Sequence, residues 1–345
     1  MLTEVVKIKN IKEDLPSIKK AAEIIRNGGL VVIPTETVYG LGGNGLLSSS
    51  AEKIYAAKGR PSDNPLIIHI NKPEDAESYA YTNSTFYALA KAFMPGPLTV
   101  ILKKKDIVPL TVTGGLDTVA IRCPAHQVAR AIIEEAGVPV AAPSANISGK
   151  PSPTSATHVI DDLSGKVDMI IDGGECDIGL ESTIVSIGDD NTLTLLRPGG
   201  ITVDALACVC DKINIPETIE KSLSENERPL SPGMKYRHYA PSCPLVLLDG
   251  DKRNIEEFLL SEEKNKKIAI LCYDEEIEKY KNSILLPIGK KDDIASHAKK
   301  LFSHLRKADK YSPDIIYAHI PSKDGLGLAL YNRMIRAAAH TVKKL

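Results

Sequence analysis

The sequence predicts an α/β protein of two domains, and three observations lead to this fold class. Short apolar runs of strand length alternate with segments of helical periodicity along most of the 345 residues. A chain of this length with 43% hydrophobic residues suffices for one large core and one smaller core. Between them, residues 211–243 carry four prolines and no clear period. We therefore expect a first domain over residues 1–210, a linker over 211–243 and a second domain over 244–345.

The first domain is expected to alternate helices and strands. A helical pattern over 18–27 ends at Gly28-Gly29, and the following run, 30–33, is a buried strand that ends at Pro34. Helical spacing returns over 50–58, so the hydroxyl- and glycine-rich segment 34–43 is interpreted as a functional loop. Further strands are predicted at 66–70, 99–102, 119–122, 138–142, 169–172, 183–187 and 193–197, and further helices near 83–93, 126–136 and 202–210.

The second domain is interpreted as a small, doubly wound parallel sheet. Strand-like runs alternate there with polar helical patterns, as in a βαβ arrangement. The strands are predicted at 245–248, 268–272 and 315–318, and the helices at 252–261, 292–308 and 325–340. Near the C-terminus, a basic helix with Arg333, Arg336, Lys343 and Lys344 is expected to form either a solvated face or a contact surface for a downstream enzyme or, weakly, for tRNA.

Composition and charge favour small-molecule chemistry. The net charge is −1, with about −5 before residue 244 and +4 after it, and neither value is typical of a dedicated nucleic-acid binder. The six cysteines include no Cys-x-x-Cys pair, and Cys208 and Cys210 lack further ligands at suitable spacing, so no metal site is predicted. No apolar stretch reaches the roughly 18 residues of a membrane helix, and no signal segment is visible. We expect a cytoplasmic protein with reduced thiols and no membrane contact.

Two polar clusters at predicted element ends indicate a nucleotide site. Lys58 and Arg60 place a point charge and a planar fork two residues apart, which suits a polyphosphate or an adjacent carboxylate and phosphate. Ser144 and Asn146 follow the predicted strand 138–142 and supply neutral donors to the same anion. Taken alone, the first pair also fits a solvated helix end and the second an ordinary turn.

Several short motifs run in order through the first domain. They are Pro34-Thr-Glu-Thr-x-Tyr-Gly-Leu, Lys58-Gly-Arg-Pro, Asn64-Pro-Leu, Phe93-Met-Pro-Gly-Pro-Leu-Thr99, Arg122-x-Pro124, Pro143-Ser-Ala-Asn-x-Ser-Gly149 and Ser182-Thr183. Together they resemble the YrdC-like family of threonylcarbamoyl-AMP synthases. The stretch Ser231-Pro-Gly-Met-Lys-Tyr-Arg-His-Tyr-Ala-Pro241 and the residues after it resemble the long, two-domain form of that family. The resemblance implies a YrdC-like twisted open sheet domain and a smaller C-terminal Rossmann-like parallel-sheet domain.

The resemblance also implies an L-threonylcarbamoyladenylate synthase, which is a nucleotidyltransferase. L-Threonine captures bicarbonate as a carbamate, and ATP adenylates the carbamate to threonylcarbamoyl-AMP with release of pyrophosphate and water. Mg²⁺ would accompany ATP. The product would pass to a downstream threonylcarbamoyl transferase complex that modifies the tRNA adenosine next to the anticodon. Two alternatives stay open: an RNA-binding protein without catalysis, and adenylation of a different carbamate.

By the same resemblance, the site divides into a catalytic pair and two binding sets. The catalytic pair is Lys58 and Arg60, which neutralise charge and position phosphates without a covalent intermediate. The threonine-binding set is Thr37, His69, Arg122 and Ser182. The ATP-binding set is Lys58, Arg60, Asn64, Thr118, Ser144, Asn146, Ser152, Arg197, Tyr236 and His238. On their residues alone, His69 also fits a satisfied core histidine, and Thr37 and Glu36 fit helix caps or turn residues.

The linker is expected to act as a lid on the nucleotide side. Its segment 234–239 places apolar, stacking and cationic groups on a tether whose prolines restrict its shape. We expect Tyr236 or His238 to lie against the adenosine, with the second domain anchoring the far end of the segment. A passive spacer is the alternative.

Overall fold

A computed structural model describes residues 2–219 and 239–345, which form two compact units. The first contains residues 2–148 and 152–219, and the second contains residues 149–151 and 239–345. Both units combine helices and strands, so the predicted α/β class is confirmed. Tyr236 and His238, predicted to face the nucleotide, lie outside the described residues. Within the two described ranges, no helix is long and apolar enough to cross a membrane.

The first unit is built on a mixed, open sheet. Its strands are β1 (Glu4–Lys7), β2 (Val31–Ile33), β3 (Gly40–Asn44), β4 (Ile67–His69), β5 (Leu98–Lys103), β6 (Thr118–Arg122), β7 (Val140–Ala141), β8 (Met169–Asp172), β9 (Thr183–Ile187), β10 (Leu193–Arg197) and β11 (Ile213–Asn214). Their order across the sheet is β1-β8-β2-β3-β7-β4-β6-β5-β9-β10-β11. The helices are α1 (Leu15–Arg26), α2 (Ser48–Lys58), α3 (Ser84–Phe93), α4 (Gln127–Ala136), α5 (Ala156–Leu163) and α6 (Val203–Ala207), with 3₁₀ turns at Pro73–Ser78 and Glu217–Ile219.

Helices α1 and α4 pack on the sheet through apolar stripes. Ile18 and Ile25 of α1 are completely buried, as is Ile132 of α4, and all three belong to one core cluster with the strands β2 and β8. Residues at three- and four-residue spacing share one helix face, which is why the sequence pattern located both helices. Gly137, with φ of 65°, ends α4 in the left-handed conformation that glycine adopts without strain.

The segment 34–43 is not entirely a loop, because β3 begins within it at Gly40. Gly42 pairs with Val31 of β2. A Cβ at Gly42 would lie 2.8 Å from a methyl carbon of Val140 and 3.0 Å from the carbonyl oxygen of Val31, so the strands approach too closely for a side chain. Glycine is poor in strands by intrinsic preference. Tertiary packing therefore overrides the local signal, and the prediction of a continuous loop is wrong there.

The second unit contains a parallel sheet, as predicted. Its strands are β12 (Leu245–Asp249), β13 (Ile268–Cys272), β14 (Ile284–Pro287), β15 (Ile315–His319) and β16 (Val342–Lys344), in the order β14-β13-β15-β12-β16. Every strand pairing in this sheet is parallel. The helices are α7 (Lys252–Glu262), α8 (Ile294–Tyr311) and α9 (Gly327–Ala337), with a 3₁₀ turn at Asp274–Glu276. Strands β14 and β16 were not predicted.

The basic C-terminal helix expected from the sequence is not a basic surface. Arg333 is completely buried, and its guanidinium lies 5.8 Å from the ring centre of Tyr239. Lys343 and Lys344 belong to β16 rather than to α9. The interpretation of a solvated basic helix face is therefore wrong for Arg333, and a weak tRNA contact stays a prediction.

Candidate active site

A row of polar side chains crosses the sheet of the first unit at the level of Arg122. In the strand register, Arg122 on β6 lies opposite His69 on β4 and Thr99 on β5. Ser182 immediately precedes β9, the strand beside β5, and its hydroxyl oxygen lies 2.8 Å from that of Thr99. All four residues are at most 4% exposed. The fold thus brings together three of the four predicted threonine-binding residues.

Arg122 forms a buried ion pair with Glu36. Its Nη2 donates to Glu36 Oε1 at 2.7 Å, and the two side chains are 5% and 8% exposed. Burial alone would raise the pKa of Glu36, but the charge and hydrogen bond of Arg122 outweigh burial and hold that pKa below its usual value. Glu36 Oε2 is buried and has no hydrogen-bond partner among the described residues. The interpretation of Glu36 as a cap or turn residue therefore missed its role as counter-ion.

His69 is a neutral imidazole with one free acceptor nitrogen. Its Nδ1 lies 3.3 Å from the carbonyl oxygen of Val140, and because a carbonyl only accepts, Nδ1 carries the proton. Burial, followed by the positive charge of Arg122, lowers the pKa of His69 to about 3. Nε2 is consequently an unprotonated acceptor at neutral pH. His69 is thus partly satisfied by the sheet, yet it retains a lone pair for a ligand.

Thr37, the fourth predicted threonine-binding residue, is arranged as an acceptor. Thr35 Oγ1 donates its single proton to the carbonyl oxygen of Val38 at 2.6 Å. The 2.8 Å contact between the hydroxyls of Thr35 and Thr37 must therefore have Thr37 as donor. With its proton committed, Thr37 Oγ1 presents only lone pairs to any further partner.

Arg197 contacts Ser182, which belongs to the predicted threonine-binding set. Its Nε donates to the carbonyl oxygen of Ser182 and its Nη2 to the hydroxyl of the same residue, both at 3.0 Å. Gly199 supports this contact, because its Cα approaches the backbone of 181–183 so closely that a Cβ would lie 2.3 Å from the nitrogen of Thr183. Arg197 was predicted to face ATP, and the structure places it beside a residue predicted to bind threonine.

Lys58, the last residue of α2, binds the backbone of Ser144 and Asn146. Its ammonium donates to the carbonyl oxygens of Ser144 and Asn146, each at 2.5 Å, and the residue is 1% exposed. The hydroxyl of Ser144 donates in turn to Asn146 Oδ1 at 2.5 Å. The fold therefore joins residues 86 and 88 positions apart, and a solvated helix end is wrong for Lys58.

Arg60 follows Gly59, which ends α2 with φ of 62°, and the two hydrogen bonds of its guanidinium go to other residues than those of Lys58. Its Nε donates to the carbonyl oxygen of Asn64 at 3.3 Å, and its Nη2 donates to that of Pro65 at 3.2 Å. Arg60 is 8% exposed, so it is not a solvated helix end either. The side-chain oxygen of Asn64 is buried and unpaired within the described part of the chain. An orphaned buried acceptor beside a buried cation is typical of a ligand site.

Comparison with known proteins agrees with this arrangement. Residues 23–199 match the family described as Telomere recombination, and residues 201–339 match the threonylcarbamoyl-AMP synthase C-terminal domain. The chain is 44% identical to threonylcarbamoyl-AMP synthase of Pyrococcus abyssi, over 97% of this chain and 98% of that protein. It is also 44% identical to the Bacillus subtilis protein of that name, over 95% and 94%. This chain belongs to the threonylcarbamoyl-AMP synthase family.

A solved structure of a family member has the same fold as this chain. The crystal structure of Pyrococcus abyssi Sua5 complexed with L-threonine matches with a TM-score of 0.89 and 42% identity, and the match covers 100% of both chains. The predicted family, its two-domain form and the nucleotidyltransferase class are confirmed. The roles of individual site residues remain predictions.

Two further predicted ATP-binding residues of the synthase are Thr118 and Ser152. Thr118 begins β6 four residues before Arg122, which is about 13 Å along the strand. Ser152 donates to Glu181 Oε1 at 2.5 Å, directly beside Ser182. Glu181 and Thr99 were not predicted as site residues. Thr99 ends one of the motifs, but its contact with Ser182 joins residues far apart in the sequence, and no local pattern marks Glu181.

Metal binding by the protein itself has no support in residues 2–219 and 239–345. These ranges hold no group of three or more His, Cys, Asp or Glu side chains arranged for an ion. The donors around Lys58 and Arg60 suit phosphate oxygens rather than a metal.

Proposed function

We propose that the first unit makes threonylcarbamoyl-AMP from L-threonine, bicarbonate and ATP, with release of pyrophosphate and water. The observation that carries the proposal is a set of four cations buried in one unit. Lys58, Arg60, Arg122 and Arg197 are 1%, 8%, 4% and 7% exposed. ATP and N-carboxythreonine together carry several negative charges, and a set of cations held within one unit suits such substrates by charge.

Threonine is proposed to bind at the row around Arg122. Because Nη2 is engaged by Glu36, the guanidinium keeps Nη1 for the substrate carboxylate. Three hydrogen-bond acceptors are proposed for the amino group of threonine: Glu36 Oε2, His69 Nε2 and Thr37 Oγ1. A neutral amino group donates its two protons to two of these acceptors and keeps its lone pair for the carbon of bicarbonate. Carboxylation then forms the N–C bond and releases water, giving the carbamate.

Adenylyl transfer requires no nucleophilic side chain. A carbamate oxygen attacks the α-phosphorus of ATP, the bond to the β-phosphate oxygen breaks, and pyrophosphate leaves with its electron pair. Lys58 and Arg60 are proposed to neutralise the charge on the phosphates, and Ser144 and Asn146, which Lys58 holds in place, to contact the nucleotide. Bound Mg²⁺ would withdraw further charge from the phosphates.

The product is a mixed anhydride of a carbamic acid and AMP, which is an activated acyl donor. Its fate is proposed to be transfer by a downstream threonylcarbamoyl transferase complex to the tRNA adenosine next to the anticodon. The first unit would thus supply the activated group without touching that adenosine itself.

Pyrophosphate release from ATP by the purified full chain tests this proposal. Release should require both L-threonine and bicarbonate, and it should fall at least about 100-fold in the double variant Lys58→Ala, Arg60→Ala. The matched control is Lys19→Ala, Lys91→Ala, which removes two exposed cations of the same unit and should leave release unchanged. Circular dichroism of both variants verifies folding, and Arg60→Gln alone serves if the first variant does not fold.

The remaining outcomes discriminate between the alternatives. Release that is indifferent to threonine would indicate a different carbamate as substrate. Absence of release, combined with salt-sensitive RNA affinity, would indicate an RNA-binding protein without catalysis.

A further inference from the structure

The second unit contains a cavity at the carboxyl edge of its parallel sheet. The cavity has a volume of about 410 Å³ and is lined by residues at the carboxyl ends of β12 and β15 and by residues that follow β12, β13, β14 and β15. From β13 the chain continues to β14, toward one edge of the sheet, and from β15 it continues to β16, toward the other edge. Because β13 and β15 are neighbours, the connections that leave these two strands diverge between them. Ligands of open α/β sheets bind at such a divergence, outside the carboxyl ends of the strands.

The floor of the cavity is a hydrogen-bonded polar group that is largely shielded from solvent. His319, the last residue of β15, places Nε2 at 3.0 and 3.1 Å from the two carboxylate oxygens of Glu276. Glu276 Oε2 also accepts from the backbone nitrogen of Tyr273 at 3.0 Å. The Tyr273 ring stacks on His319 with centroids 4.7 Å apart and an angle of 14°. Burial opposes ionisation of Glu276, but the hydrogen bond to His319 holds its pKa below the usual value.

The loop between β14 and α8 is held in place at the cavity wall. His297 Nε2 lies 2.7 Å from the carbonyl oxygen of Lys290, and the hydroxyl of Ser296 donates to that of Ile288 at 2.8 Å. The backbone nitrogen of Lys291 donates to the carboxylate of Glu275 at 3.2 Å. These contacts position the loop without contributing to the sheet ladder. Such preorganisation is what a binding site requires.

The rim presents two cations and the N-terminus of a helix. Lys252 and Lys291 line the cavity, and neither ammonium forms an ion pair with any residue in the described ranges. Lys252 is the first residue of α7, whose preceding residue, Asp251, makes no side-chain cap. The first amides of α7 therefore add donors to the charge of the two lysines, a combination that suits a phosphate group.

The remaining rim groups indicate what the phosphate would be attached to. The cavity lining holds four carboxylates, Asp249, Glu275, Glu276 and Asp292, against the two lysines, so it does not favour an isolated anion. Carboxylates accept from hydroxyl and amino groups, and Leu248, Ile255 and Ile320 supply an apolar wall. A volume of about 410 Å³ is in the range of small-molecule sites and too small for a dinucleotide.

We propose that this cavity binds a nucleoside monophosphate, with its phosphate at the N-terminus of α7 between Lys252 and Lys291 and its ribose hydroxyls on the rim carboxylates. The site lies wholly within the second unit and is separate from the proposed synthase site. It gives the second unit a ligand of its own.

The test uses AMP and the full chain, with hydrogen exchange read by mass spectrometry to locate binding. Saturating AMP should slow exchange in 249–256 and 289–293, whatever happens in the first unit. Lys252→Ala, Lys291→Ala should weaken this protection by at least about tenfold in AMP concentration. The matched control Lys264→Ala, Lys299→Ala removes two exposed lysines of the same unit and should leave it unchanged. Adenosine should protect the two segments at least about tenfold more weakly than AMP.

Three results would overturn the proposal. The first is no protection of 249–256 or 289–293 at millimolar AMP. The second is equal loss of protection in the cavity variant and the control variant. The third is protection by inorganic phosphate at the same concentration as by AMP, because the cavity would then be an anion site without a nucleotide. This test measures hydrogen exchange and not pyrophosphate release. The proposed function can therefore fail its own test without affecting this one.

Discussion

Glu36→Gln is expected to destabilise the first unit strongly. The substitution keeps the shape and an oxygen acceptor but removes the charge that balances Arg122 at 2.7 Å. Both side chains are less than a tenth exposed, so water cannot replace the lost charge. The guanidinium, which stays protonated, would then be buried without a counter-ion.

The expected loss is about 3 kcal/mol in the free energy of unfolding. Breaking a buried pair costs about 3–5 kcal/mol, and glutamine retains a neutral hydrogen bond, which places this variant at the lower end. With a urea dependence of about 2 kcal/mol per molar, the unfolding midpoint should fall by about 1.5 M. Threonine binding should weaken as well, because Glu36 fixes the guanidinium that is proposed to hold the substrate carboxylate.

Urea unfolding followed by circular dichroism measures the effect, and the same unit offers a matched control. Glu4 and Lys20 form an ion pair at 2.6 Å whose side chains are 44% and 56% exposed. Glu4→Gln should therefore cost less than about 1 kcal/mol. Equal losses for Glu36→Gln and Glu4→Gln would refute the argument from burial.

A double-mutant cycle checks the assignment to the pair itself. Arg122→Met removes the cation, and the double variant with Glu36→Gln should lose at least about 1 kcal/mol less than the sum of the single variants. Strict additivity would show that the two groups do not stabilise each other.

Three further variants probe the site. Because the pKa of His69 is about 3 when folded and about 6.5 when unfolded, the unfolded state alone gains a proton as pH falls from 6.5 to 4. Stability should therefore drop by about 3 kcal/mol over this interval beyond the drop in His69→Gln, as urea titrations at each pH would show; parallel pH profiles would contradict this. Lys58→Met should reduce pyrophosphate release at least about 100-fold, whereas Lys53→Met on the exposed side of α2 should not. Gly199→Ala should lower the free energy of unfolding by about 2 kcal/mol through its 2.3 Å clash with Thr183, and Gly200→Ala, with its nearest contact at 3.2 Å, by clearly less; the reverse order in thermal melts would exclude the close-packing explanation.

The secondary structure was predictable where one side of an element carries its apolar residues. Helices α1 and α4 were located because residues such as Ile18 and Ile132 recur on one face. Strand β3 was missed because glycines form it, and they are tolerated only through its close approach to Val31 and Val140. Strand β14 is short and only partly buried, and no local pattern distinguished it from the loops around it.

The order of the motifs along the chain was enough to recognise the synthase family, because strings such as Lys58-Gly-Arg-Pro and Pro143-Ser-Ala-Asn-x-Ser-Gly149 occur together in one chain. A function that depends on residue types at short spacings can be predicted from the sequence alone. The partners of individual residues cannot be, since Arg122 meets Glu36 across 86 positions and Arg333 is buried within the second unit. Burial and pairing depend on which strands become neighbours, and long-range strand order is set by the packing of the whole unit. The charge state of His69 and the cavity beside His319 follow from that packing alone.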